Sequence, residues 1–154
     1  MTNTDLIYNT PQEIAIRLLA VLLVSKNKLS KDRLIFFDFL TIHTSTFSDT
    51  NKSIHPDNPY FGLEFFSKNT NTEKAVHLLV HKKLINSFHD EGGYYFEINN
   101  MGKYILSLIN GPYKNQVVIH AGKVIEEFSS LTDQDIRKYF DLNLIKWSAE
   151  QWTV

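Results

Sequence analysis

The spacing of hydrophobic and polar residues predicts a mainly helical chain. Thr10 and Glu13 form a capping box with a proline between them, a pattern that marks a helix start. Residues 14–24 that follow are apolar on nearly every side, which is typical of a helix buried against several neighbours. Ser30 predicts the start of a second helix over 31–42. Capping residues and apolar stripes predict the remaining helices, over 70–84, 100–109, 112–128 and from 132 onward.

Two extended segments follow the third of these helices. That helix is predicted to begin at a capping box formed by Thr70 and Glu73. Beyond it, residues 94–98 alternate in the period-two pattern of a half-buried strand. We predict strands over 85–88 and 94–98, joined by a tight turn that the Gly-Gly pair at 92–93 allows.

A polar segment separates the second helix from the third. Residues 43–60 are rich in Ser, Thr, Asn and Asp and contain two prolines, so we predict a loop there. Such a loop is longer than most compact domains contain without a functional reason. Residues 61–66 are predicted to form a short helical turn.

The order of these elements is that of a winged helix-turn-helix. Two helices, a capped third helix and a glycine-turned ribbon come in sequence, and several caps and turns agree with one another. We therefore expect an α+β fold, a winged helix-turn-helix with additional C-terminal helices. We expect a single domain over residues 1–154, with its core at about 10–110 and a C-terminal helical extension at about 111–154.

Composition and charge narrow the class of protein. The chain has 154 residues, of which 43% are hydrophobic, so a sizeable core is available. Lys and Arg number 16 against 17 Asp and Glu, whereas a free-standing nucleic-acid binder usually carries a basic excess. There is no cysteine, which excludes disulfides, zinc–thiolate sites and cysteine nucleophiles. Neither a secretory signal nor a membrane-length apolar run is visible, so we expect a cytoplasmic protein without membrane contact.

The sequence contains no recognisable catalytic signature. We find no Gly-x-Ser-x-Gly, no glycine-rich phosphate loop and no His-Glu-x-x-His. His77 and His81 lie four residues apart on one predicted helix face, so both could bind one metal ion. A metal-dependent enzyme would use this pair or a set of residues in the loop. That loop set consists of His43, Asp49, His55 and Asp57. Because helix faces and loops are ordinarily rich in such residues, we expect no catalytic residue, no metal site and no cofactor.

The third helix offers a candidate contact with DNA. In a winged helix this helix often enters the major groove. Arginine, the usual reader of bases, does not occur in it, and the predicted wing tip, Asp90-Glu91, would repel phosphate. The candidate contact residues are Lys74, His77, His81, Lys82 and Lys83.

Aromatic and loop residues offer a candidate partner interface. Tyr94 and Tyr95 alternate, so at least one of them is expected to be partly exposed. Tryptophans near the C-terminus either fold back on the core or anchor a partner. The long loop would dock against a partner or simply cover the core. The candidate interface residues are His55, Pro56, Tyr60, Tyr95, Trp147 and Trp152.

The motifs resemble a known family. The Asn-x-Pro-x-Glu start at 9–13, the Leu-x-x-Asp-Arg-Leu helix at 29–34 and the His-Pro-x-x-Pro loop at 55–59 are similar to the middle component of bacterial ABC three-component systems. Lamassu-type anti-phage and anti-plasmid defence operons belong to the same group. The resemblance continues to Trp147 and so covers nearly the whole chain. The sequence departs from the family pattern at Lys82-Lys83, where the family usually has Arg-Gly.

This resemblance implies a small, non-catalytic accessory subunit. Its partners would be an SMC-like ABC ATPase and an effector such as a nuclease, which the subunit would bridge, with weak, non-specific DNA contact in addition. The alternative is a stand-alone winged-helix transcription regulator, which would be a dimer and would bind duplex DNA in a salt-dependent way.

Overall fold

The fold is α+β, with one small antiparallel sheet. The computed structural model describes residues 9–48, 52–55 and 61–149. Within them a 3₁₀ turn at Thr44–Thr46 follows the second helix. The helices are α1 (Pro11–Ser25), α2 (Lys31–Ile42), α3 (Phe61–His81), α4 (Asn100–Leu108), α5 (Pro112–Phe128) and α6 (Asp133–Ala149).

Four helix starts are capped as the sequence predicts. The Thr10 hydroxyl accepts a hydrogen bond from the Glu13 backbone N–H at 3.2 Å. Ser30 caps α2 and Asn99 caps α4 in the same way. At α6, Thr132 accepts from the Asp135 N–H, and the Asp135 carboxylate accepts from the Thr132 N–H in return. Each cap satisfies a backbone donor that has no partner inside its helix.

The prediction for the third helix was wrong at its start. α3 begins at Phe61 and runs without interruption through Thr70 and Glu73, so these residues are not a capping box. Inside the helix, the Thr72 hydroxyl donates to the Lys68 carbonyl four residues earlier, at 3.1 Å. Threonine is tolerated mid-helix when its hydroxyl bonds in this way. The short turn predicted over 61–66 is therefore the first part of α3.

The sheet has a strand that the sequence analysis missed. β1 (Leu29–Ser30) pairs with β3 (Gly93–Ile98), and β3 pairs with β2 (Ile85–Asp90), which gives the antiparallel order β1-β3-β2. The predicted hairpin is confirmed, with both strands extended to the turn. There the Asp90 carboxylate accepts from the Gly92 N–H at 2.7 Å, and Gly93 adopts a φ of 115°, which favours glycine.

The end of α3 is closed by a residue in a left-handed conformation. Lys83 has a φ of 59°, the Leu84 N–H donates to the Leu79 carbonyl, and the Lys83 N–H donates to the Val80 carbonyl. These two bonds are those of a Schellman motif, in which glycine usually holds the left-handed position. α3 therefore ends at His81, three residues before the predicted end, and the chain turns directly into β2.

One hydrophobic core joins all six helices described here. α1 lies at its centre and packs against α2, α3, α4 and α5. α5 contributes buried Val117, Ala121 and Val124, and α6 adds Ile136 and Phe140. The C-terminal helices therefore share the core of α1–α3.

Candidate functional site

Three charged side chains meet inside the core. Arg17 of α1 and Asp38 of α2 are completely buried, and Lys68 of α3 is 4% exposed. Arg17 Nε and Nη2 donate to the two carboxylate oxygens of Asp38 at 2.7 and 3.1 Å, which is a bidentate pair. Lys68 Nζ donates to Asp38 Oδ2 at 2.5 Å. Asp38 therefore holds together the three N-terminal helices of the core.

The pKa values in this cluster follow from burial and from the neighbouring charges. Burial favours a neutral Asp38, but Arg17 and Lys68 outweigh it and lower the pKa of the Asp38 carboxyl. Burial also acts to lower the pKa of Arg17, and the attraction of Asp38 reverses this and raises it. For Lys68 burial prevails, so its pKa is lowered despite Asp38. Lys68 is thus the cation in this cluster that gives up its proton most readily.

The described parts of the polar loop are fixed to α3 and α5. His43 is completely buried, and its Nε2 lies 2.6 Å from a carboxylate oxygen of Glu64 on α3. His55 is 1% exposed and is hydrogen-bonded through Nε2 to the Tyr113 hydroxyl of α5 at 2.8 Å. Thr44 is hydrogen-bonded to His120, also on α5, at 3.2 Å. The described parts of the loop are therefore anchored to the core on two sides.

Burial changes the titration of the groups that anchor the loop. It lowers the pKa of His55 to about 2, and the nearby charges of Arg17 and His43 add to this effect. Burial likewise raises the pKa of the Tyr113 hydroxyl. His55 is therefore neutral in the folded protein at physiological pH.

The residues that carry the family resemblance are brought together here. Arg17 Nη2 donates to Asn9 Oδ1 at 3.1 Å, and Asn9 belongs to the N-terminal motif. His55, from the His-Pro-x-x-Pro motif, is buried close enough to Arg17 for the arginine charge to contribute to the lowering of its pKa. Arg17, Lys68 and Glu64 are not among the functional residues predicted from the sequence. The signal available in the sequence was a lone charged residue that interrupts an apolar run, and Arg17 and Asp38 are both residues of this kind.

The candidate DNA-contact residues lie on the surface. Lys74, His77 and His81 are exposed along α3, and Lys82 and Lys83 are exposed where α3 ends. Asp90, the last residue of β2, and Glu91, which follows it in the hairpin turn, are exposed. The fold thus places basic side chains on one helix and acidic side chains at the hairpin tip.

A shallow crevice of about 300 Å³ separates α3 from the hairpin. Val76, Val80 and Phe96 contribute apolar walls, and His77 lies at its edge. Tyr94, also in this crevice, is 56% exposed. Tyr95 points to the other face of the sheet and is half-buried, with Lys28 Nζ 5.9 Å from its ring centroid. Of the two hairpin tyrosines, Tyr94 therefore has more surface available to a partner.

The remaining interface candidates fall in different places. His55 is enclosed by the core, so its side chain offers almost no surface in this conformation. Pro56, Tyr60 and Trp152 lie outside the described residues. Trp147 belongs to α6, but its side chain is not among those described. Of the six interface candidates, the structure therefore describes only the side chains of His55 and Tyr95.

Neither a metal site nor a membrane helix is found in the described part of the chain. No three His, Asp or Glu side chains in residues 9–48, 52–55 and 61–149 are placed to hold a metal ion. Asp49 and Asp57 of the loop set lie outside those ranges. No helix in the same ranges is long and apolar enough to cross a bilayer.

Comparison with known protein families identifies a matching family. A family model described as ABC-three component (ABC-3C) system Middle Component 2 matches residues 7–150. No curated protein and no solved structure gives a significant match.

Proposed function

The chain belongs to the Middle Component 2 family of ABC-three component systems, and on this basis we propose that it is a non-catalytic accessory subunit. In this proposal it bridges an SMC-like ABC ATPase and an effector such as a nuclease in the cytoplasm. It would hold the effector inactive until the ATPase detects foreign DNA, as in Lamassu-type anti-phage and anti-plasmid defence. The observation that carries the proposal is the family match over residues 7–150.

The internal chemistry supports a role without catalysis. A catalytic acid or base must reach a substrate, directly or through one water. Here Arg17, Asp38 and Lys68 are buried, and Arg17 and Lys68 both donate to Asp38. Such a cluster orients helices, and it leaves the outer surfaces of the protein for contacts with partners.

The arrangement of elements supports a docking module of the winged-helix type. The order α1-β1-α2-α3-β2-β3 is the order expected of a winged helix, and we interpret α3 as the recognition helix and the β2–β3 hairpin as the wing. In this proposal the crevice around Tyr94 is part of the partner surface. Lys74, Lys82 and Lys83 add a weak, non-specific contact with duplex DNA, which the acidic tip limits.

Co-purification with the products of neighbouring genes tests the bridging role. The tagged chain is co-expressed with the SMC-like ATPase and effector encoded beside it, and we expect all three to elute as one complex. Tyr94→Ala should weaken the complex, whereas Tyr104→Ala on α4 should not, although the two tyrosines are similarly exposed, at 56% and 58%. If the chain elutes alone in the presence of both neighbours, the bridging role is wrong.

A stand-alone DNA-binding transcription regulator is the second candidate function. The exposed lysines at the end of α3 favour it. It requires retention on duplex DNA at low salt, and Lys82→Ala/Lys83→Ala should reduce the salt slope by roughly 0.9 per lost phosphate contact. Lys103→Ala/Lys138→Ala removes two exposed lysines elsewhere and is the matched control. Absence of retention at low salt would exclude this candidate.

A further inference from the structure

β2 is an open edge of the sheet. The strand order β1-β3-β2 leaves one side of β2 without a neighbouring strand among residues 9–48, 52–55 and 61–149. Five of its six residues, Asn86 to Asp90, are exposed. A free strand edge presents backbone N–H and C=O groups that can pair with another strand.

Several features by which proteins usually prevent pairing do not occur along this edge. Lysine or proline in the edge strand, or a β-bulge, normally blocks the approach of a second strand. β2 contains neither residue, and its register with β3 runs without a break from Ile85 opposite Ile98 to Asp90 opposite Gly93. Phe88, near its middle, is 38% exposed. The strand is therefore well suited to pairing.

The charges at the two ends of β2 indicate which strand would pair with it. Lys82 and Lys83 lie three and two residues before the strand, Asp90 and Glu91 lie at its end, and all four are exposed. When two such strands run antiparallel, the basic end of each lies beside the acidic end of the other, and the twofold axis repeats this contact. Parallel alignment would instead bring like charges together, which is unfavourable.

We infer that β2 pairs antiparallel with β2 of a second copy of this chain, across a twofold axis near Ser87, which places Lys83 beside Glu91 of the other copy. The two sheets then form one continuous sheet of six strands, and the two Phe88 rings lie across the axis from each other. An interface this narrow is small for a protein–protein contact, so the dimer dissociates at about micromolar concentration and weakens with salt. The inference does not depend on the proposed function.

A charge exchange across the axis tests the pairing. Lys82→Glu/Lys83→Glu makes both ends of the strand acidic, and Asp90→Asn/Glu91→Lys removes the acidic end and adds a base. Asparagine at position 90 keeps a side-chain oxygen for the Gly92 N–H. Sedimentation velocity at low salt measures each variant alone and an equimolar mixture, after circular dichroism has shown that both are folded.

We expect each variant alone to lose the dimer and the equimolar mixture to regain it. Each variant alone should dissociate at least about tenfold more readily than the natural chain, and the mixture should return to within about threefold of it. Tyr104→Glu, on the exposed face of α4, should leave the dimer unchanged. Any of four results overturns the pairing: a natural chain that is monomeric at several hundred micromolar, variants that dimerise normally, a mixture that does not recover, or a dimer lost in Tyr104→Glu.

Discussion

Removal of the Asp38 charge is the most direct test of the buried cluster. Asp38→Asn keeps the size of the side chain but leaves two cations, Arg17 and Lys68, without the carboxylate that both contact. Arg17→Met leaves the Asp38–Lys68 pair, and Lys68→Met leaves the bidentate Arg17–Asp38 pair. Asp38→Asn therefore leaves two buried cations, whereas each of the other two variants leaves one neutral pair.

The residual charge and the number of hydrogen bonds that remain predict the order of the effects on the free energy of unfolding. Loss of one partner from a buried ion pair costs about 3–5 kcal/mol when it leaves a charge uncompensated. We expect a loss in this range for Asp38→Asn, because arginine cannot release its proton. Arg17→Met leaves a neutral pair with one hydrogen bond and should cost about 1–3 kcal/mol. Lys68→Met keeps both hydrogen bonds between Arg17 and Asp38 and should change the stability by less than about 1 kcal/mol, because desolvation of the lysine offsets its attraction.

Urea denaturation followed by circular dichroism measures these differences. With a slope of about 2 kcal/mol per molar urea, Asp38→Asn should lower the midpoint by roughly 2 M. Lys68→Met should lie within about 0.5 M of the natural chain. If Lys68→Met is as damaging as Asp38→Asn, or if all three variants lie within about 1 kcal/mol of the natural chain, uncompensated charge does not determine the stability of this cluster.

Three further predictions concern single positions. The folded pKa of His55, about 2, lies below its unfolded value near 6.5, so the unfolded state takes up the proton first and stability falls as the pH drops below 6.5. Between pH 7 and 5 this costs about 2 kcal/mol. His55→Gln, which can keep a hydrogen bond to Tyr113, should remove most of this dependence of stability on pH in thermal melts, and an unchanged dependence would show that His55 is not its cause. Gly102→Ala would place a methyl group 2.2 Å from the Leu84 carbonyl oxygen and should lower the free energy of unfolding by about 1–3 kcal/mol or more, whereas Gly122→Ala, which meets no atom within 4 Å, should raise it by about 0.5–1 kcal/mol. Lys83→Gly should raise the midpoint in urea, with a gain of about 1 kcal/mol, because glycine adopts the left-handed conformation without strain; a lower midpoint would show that the lysine side chain makes a compensating contact.

Local signals in the sequence were sufficient for most of the elements. Helix caps at Thr10, Ser30 and Asn99 and the Gly-Gly turn act between residues close in the chain, and the structure has them as predicted. β1 could not be found in this way, because two residues carry no pattern and their partner, β3, lies more than sixty positions further along the chain.

Non-local contacts account for the error at α3 and for the missed cluster. The Thr70–Glu73 pattern favours a helix start, but Phe65 packs in the core and Lys68 bonds to Asp38, five and two residues before Thr70, so the helix begins earlier. The charges of Arg17 and Asp38 were visible as interruptions of apolar runs. That they meet each other depends on how α1 and α2 pack, which neither run specifies.

Ser30 belongs to two structural elements at once. Its backbone lies opposite Tyr95 in the sheet, and its side chain accepts the Arg33 N–H at the start of α2. Eight residues further along α2, Asp38 holds α1 and α3. Rotation of the hairpin therefore strains the first turn of α2. A partner that binds the hairpin would change amide exchange at Arg33 before it changed any contact in the interior.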